Sequence, residues 1–166
     1  MLFRSDSVEG MLDGDAGLRA LGGVNDMRAL RKSAAEGNQR TRLAIRVFCR
    51  SVIKAIAGFI ALYGADAIVF TGGIGEHDAA SRGEIAGGLA GIGVELDGVA
   101  NQLQSKQTGQ MVRKVSDEDS PAAVYVAPAQ EDLVDLAHRG RLEFPDNLHD
   151  FQLLFGKGFG FCSHTN

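Results

Sequence analysis

The sequence predicts an α/β domain with parallel strands flanked by helices. Three observations predict it. Residues 66–71, "DAIVFT", and 122–128, "AAVYVAP", are short apolar runs without polar alternation, the pattern of strands covered on both faces. Helical patterns precede the first run and follow both, so the order after residue 40 is helix, strand, helix, strand, helix. A glycine-rich turn, "GGIG", joins the first strand directly to the helix behind it.

At 166 residues the chain is long enough for a real core, and 45% hydrophobic with 23% charged residues is ordinary for a globular protein. Twenty-two glycines are well above average use; with this apolar content they favour tight turns and close backbone approaches over disorder. The net charge of -4 and pI near 5.5 exclude the basic face of a nucleic-acid binder. Cys49 and Cys162 stand far apart, without metal spacing, and suggest a reducing compartment. "MLFRSDSVEG" lacks the apolar core of a signal peptide and no run reaches membrane-spanning length, so the expected location is the cytoplasm, with no membrane partner.

Taken in order, residues 6–21 predict a short helix broken by glycines. "GGVNDMR", 22–28, is a turn, with a helix starting near Asp26. Residues 33–40 read as a loop or helix start. The clearest element is a helix over 40–63, where Ala44, Phe48, Val52, Ala55, Phe59 and Leu62 recur at spacings of three and four. Arg42, Arg46, Arg50 and Lys54 form a second row, read as a solvated face in preference to an anion stripe. Gly64 is placed to end the helix. After the glycine turn, 78–93 predicts a helix with Asp78 or Ser81 as cap, and "GIGVELD" leads to a short strand. Residues 101–121 are polar, and "AQEDLVDLAHRGRL" predicts a further helix. Pro145 breaks the pattern. The tail holds four of the nine phenylalanines without periodicity; it is either a small added element or unrelated to the fold.

Three motifs carry chemistry. A strand delivering Gly72-Gly73-Ile74-Gly75 into a helix removes the side chains that would hold a phosphate or sugar off the backbone. No Lys-Ser/Thr follows, so it is not a Walker loop. Gly73-Ile74-Gly75 is followed by Glu76-His77-Asp78, so the third glycine of a dinucleotide fingerprint is missing, which counts against a dinucleotide-binding oxidoreductase half. Connector and nucleotide site are equally good readings of the loop alone. Asp26 and Arg28 could address ribose and base or phosphate, or simply start a helix. Glu131, just beyond the second strand, could hold Mg²⁺ or complement a helix dipole.

In this order, "GGVNDMR", the long helix, "DAIVFTGGIGEH", "GIGVELD" and "DSPAAVYVAPAQEDL" resemble the acetate kinase family over residues 6 to about 144. The resemblance implies part of an actin/sugar-kinase/Hsp70-like (ribonuclease H-like) fold: residues 1–145 as a C-terminal nucleotide-binding portion, 146–166 as a tail outside the family. It implies a phosphotransferase making acetyl phosphate from acetate and ATP with Mg²⁺. By motif position Gly72, Gly73, Ile74 and Gly75 would line the nucleotide, with His77 where the family usually has Asn. Asp26, Met27 and Arg28 would border it, and Glu131 would associate with Mg²⁺. Ala129, Gln130 and Asp132 depart from the family's Thr-Asn-Glu-Glu around that glutamate. Full-length members are considerably longer, so the expectation is a C-terminal fragment, inactive alone. Its partners would be nucleotide, a short-chain carboxylate, and a second copy or a complementing N-terminal half. The alternative is a non-catalytic nucleotide-binding or dimerisation module.

Overall fold

The computed structural model describes residues 16–104, 112–128 and 153–154. They fall into two compact units, one ending at Val52 and one beginning at Ile53.

The first unit holds helices α1 (Gly17–Gly22), α2 (Met27–Ala35) and the start of α3 (Gln39–Tyr63). Asp26 starts α2: its side chain accepts from the amides of Arg28 and Ala29. Asn38 starts α3 in the same way, accepting from the Arg40 amide at 3.0 Å and the Thr41 amide at 3.4 Å. Arg40 reaches back to the carbonyls of Leu21 (2.7 Å) and Ala20 (3.0 Å), satisfying acceptors at the end of α1. Met27, Leu30, Ala44, Ile45 and Cys49 form the buried apolar set of this unit.

The long helix forms where its periodicity predicts, but the buried stripe is centred one residue further on. Thr41, Ala44, Ile45, Cys49 and Ile56 are buried, Phe48, Val52 and Phe59 are half-buried, and Leu62 is 74% exposed. Two apolar rows lie side by side on α3, and periodicity alone does not say which one faces inward. Arg42, Arg46, Arg50 and Lys54 are exposed, as a solvated face requires, and Arg42 donates to the Ala34 carbonyl.

In the second unit Gly64, at φ 74°, ends α3. There follow β1 (Ala67–Phe70), α4 (Gly72–His77), α5 (Ala79–Leu89), a 3-10 turn (Ala90–Ile92), α6 (Gly98–Gln102), β2 (Arg113–Lys114), β3 (Ala123–Val126) and β4 (Leu153–Leu154). The sheet order is β2-β3-β1-β4. β1 and β3 run parallel, Ala67 opposite Ala123 through Phe70 opposite Val126. All four β1 residues are buried, as the apolar run predicts.

Two expectations are corrected. The glycine stretch is a helix, not a turn. "VELD" contributes one antiparallel bridge, Leu96 to Ser116, rather than a strand. The expected parallel pair is present, and β2 adds an antiparallel neighbour to β3. The polar 101–121 stretch includes β2 and the buried Val115 and Ser116. Of the tail, the described Leu153 and Leu154 pair in parallel with Val69 and Phe70 of β1. The helix expected after β3 lies outside the described residues.

Helix α5 crosses α3 closely at Gly88, where an added Cβ would sit 2.4 Å from Ile53 Cδ1 and 3.0 Å from its Cγ1. Gly87 beside it has nothing within 4 Å. The two sites should therefore respond with opposite signs. Gly88→Ala should destabilise by about 1–3 kcal/mol through overpacking. Gly87→Ala should stabilise by about 0.4–1 kcal/mol by restricting the unfolded chain. Urea unfolding of both variants beside the parent chain checks the pair.

Candidate functional site

The carboxyl end of β1 delivers the chain into α4, and the three glycines there have three different reasons. Gly72 is buried and sits at φ 73°, where a side chain is strained. Gly75 packs on β1 itself: an added Cβ would lie 3.2 Å from the Phe70 carbonyl carbon. Gly73 is exposed, has no positive φ, and an added Cβ would meet nothing within 4 Å. The fold's own packing gives no reason for glycine at 73. Gly58, Gly87, Gly91 and Gly98 are open in the same way, but of these glycines Gly73 alone lies at the carboxyl end of a parallel strand, where open α/β sheets bind ligands.

Thr71 occupies the cap position of α4 but its side chain makes no cap bond, and its buried Oγ1 has no hydrogen-bond partner. Ile74, Gly75 and Glu76 are half-buried and His77 is exposed. Gly72, Gly73, Ile74, Gly75 and His77 are thus gathered on one short helix.

Asp26, Met27 and Arg28 lie in the first unit, at the start of α2. Asp26 is the cap of that helix: Oδ1 accepts from Arg28 N at 2.8 Å and Ala29 N at 3.4 Å. Arg28 Nε lies 3.7 Å from the same oxygen, in an exposed pair that adds little. Met27 is 6% exposed and belongs to the buried apolar set of its unit. Glu131 lies outside the described residues, and among those described no group of three or more His, Cys, Asp or Glu could hold a metal ion.

Two residues at the site escaped sequence reading. Arg82 is fully buried in α5 and bonds the carbonyls of Gly75 (2.7 Å) and Glu76 (3.0 Å) at the end of α4. Asn101, in α6, accepts from Arg82 Nε at 2.7 Å. The signal was there: Arg82 shares the spacing of Ile85, Ala86 and Leu89, the apolar face of α5.

Solved structures of acetate and propionate kinases, which have the actin-like ATPase fold, share this part of their fold with the chain. A propionate kinase from Francisella tularensis matches with TM-score 0.65 and 31% identity over 79% of this chain and 32% of that protein. An acetate kinase from Entamoeba histolytica matches with TM-score 0.68 and 26% identity over 82% of this chain and 36% of its own. The profile of the acetokinase family matches residues 3–137, and an acetate kinase from Syntrophobacter fumaroxidans is 38% identical over 129 residues, 77% of this chain. The chain belongs to the acetokinase family. It spans about a third of the length of the curated relatives it matches.

The backbone amides that Asp26 accepts hold its carboxyl below the ordinary 3.8. A depressed folded value means that the folded state binds fewer protons than the unfolded one in this range. The stabilisation is present above pH 3.8 and is lost as the pH falls through the folded value. Asp26→Asn retains the capping geometry without the titration. Helical ellipticity followed from pH 5 to 2 should therefore fall less steeply in the variant than in the parent.

Proposed function

We propose that this chain forms the nucleotide-facing part of an acetate-kinase-type phosphotransferase, ATP + acetate giving ADP + acetyl phosphate. The observation that carries the reading is Gly73: an exposed glycine at the carboxyl end of β1 that no neighbour and no backbone angle requires. An adenosine or phosphate group resting on the backbone there supplies the missing reason. Family membership supplies the reaction: a carboxylate oxygen attacks the terminal phosphorus, the bond to the bridging oxygen breaks, and ADP leaves with that electron pair. Asp26 and Arg28 are assigned to the nucleotide's edge and Glu131 to Mg²⁺ through their motif positions alone.

A second reading is a nucleotide-binding or dimerisation module that is not catalytic by itself; the glycine-rich α4, which carries no catalytic side chain of its own, suits it equally. Both readings share the Gly72–Gly75 contact and differ in turnover.

Calorimetric titration with ADP tests the shared contact. The chain should bind, and Gly73→Val should weaken binding about tenfold or more while leaving the thermal midpoint in place, because the added side chain meets only ligand. No ADP binding by a folded chain would end the nucleotide reading. Acetyl phosphate formation, assayed with and without the remaining two-thirds of the Syntrophobacter enzyme, separates the readings. Turnover only on mixing supports the kinase part, and ADP binding without turnover in either sample supports the module.

A further inference from the structure

Helix α4 has a composition that should not hold a helix. Three of its six residues are glycine, each costing about 1 kcal/mol relative to alanine in a helix interior. Thr71 gives it no side-chain cap. Its shape must be imposed from outside, and the contacts that do so are those of Arg82.

The guanidinium of Arg82 spans three helices. Nη1 donates to the carbonyls of Gly75 and Glu76, in the last turn of α4, where carbonyls lack helical partners. Nε donates to Asn101 Oδ1, and Nη2 donates to the Asn101 carbonyl at 2.5 Å. Asn101 Nδ2 in turn donates to the Ala79 carbonyl at the start of α5, 3.0 Å away. Asn101 is itself fixed at 5% exposure in a helix started by Asp97, whose carboxylate accepts from Val99 N and Ala100 N. A planar fork can serve acceptors on two sides at once; an ammonium on a flexible stem cannot do so in the same geometry.

We propose that Arg82, anchored by Asn101, is the positioning residue that fixes the Gly72–His77 helix in the shape offered to nucleotide. The proposal rests on the nucleotide reading of that helix. The plain alternative is a core arginine that supports the whole unit equally.

The test is amide exchange of the full chain, read by mass spectrometry, together with ADP titration, on the parent, Arg82→Lys and Asn101→Ala. Both variants should raise exchange of amides 73–78 about tenfold or more while the Val124–Val126 amides of β3 keep their protection. ADP affinity should fall about tenfold in both, and a third variant, Asn101→Gln, which retains an amide, should recover part of the loss seen in Asn101→Ala. If amides 73–78 and 124–126 lose protection together in both variants, Arg82 is a general core support and the proposal falls. It falls also if exchange at 73–78 does not change. If the parent chain binds no ADP, the nucleotide reading is what fails, and exchange alone then decides whether Arg82 shapes the helix.

Discussion

The parallel pairing of Ala67–Phe70 with Ala123–Val126 is the constraint on which the second unit depends. Parallel neighbours cannot be joined by a tight turn, so the chain must leave the carboxyl end of β1, cross over and return. Among the described residues, helices α4, α5 and α6 lie on that crossing. Its first residues must turn off the strand within a step or two, which is where Gly72 adopts its positive φ and Gly75 closes onto Phe70. The site follows from the topology: the carboxyl end of a parallel strand is where this crossing has to begin.

The crossing is held by a buried cation rather than by apolar packing alone. Burial pulls the Arg82 guanidinium down to about 10, Arg113 nearby pushes in the same direction, and Asp78 opposes them. It stays charged at neutral pH, so removing it from water must be offset by acceptors in place. Those acceptors are mostly backbone carbonyls, which carry partial negative charge at helix ends. Arg113 shares this region, donating to the Ala100 carbonyl at 3.2 Å. Two buried guanidinium groups thus converge on the end of α6, and that short helix is a junction despite having only five residues.

How much of this was legible in the sequence depended on whether a feature was periodic. The two buried strands and the long helix were, because continuous apolar runs and a 3.6-residue recurrence survive in any context. The inward row of α3 was not, because Ala44-Phe48-Val52 and Ile45-Cys49-Ile56 are neighbouring apolar rows and only packing chooses between them. β2 was hidden by its composition: two basic residues do not look like a strand, and only pairing to Val126 and Tyr125 makes them one. Arg82 was hidden by its charge, since a basic residue in a helix is ordinarily solvated. The glycines showed that backbone mattered at 72–75, but not that each had a different reason. The capping role of Asp26 was visible as one of two readings, and the hydrogen bonds establish it.

That role does not remove Asp26 from the nucleotide reading. Both capping bonds fall on one oxygen, and the side chain remains half exposed. A carboxylate has lone pairs to spare after two bonds, so the same group can start a helix and accept from a sugar hydroxyl. The charge of the site argues for a division of labour. Helix α4 carries no lysine or arginine: it offers glycine backbone, the half-buried Ile74 and Glu76, and the exposed His77. Phosphoryl transfer needs positive charge around the moving group from several sides. A surface of this kind suits the part of a nucleotide that does not react, where contact matters and charge does not. On the proposed nucleotide reading, α4 is therefore a contact surface for the non-reacting part of the ligand, and the charge that a moving phosphoryl group needs has to come from groups other than those of α4.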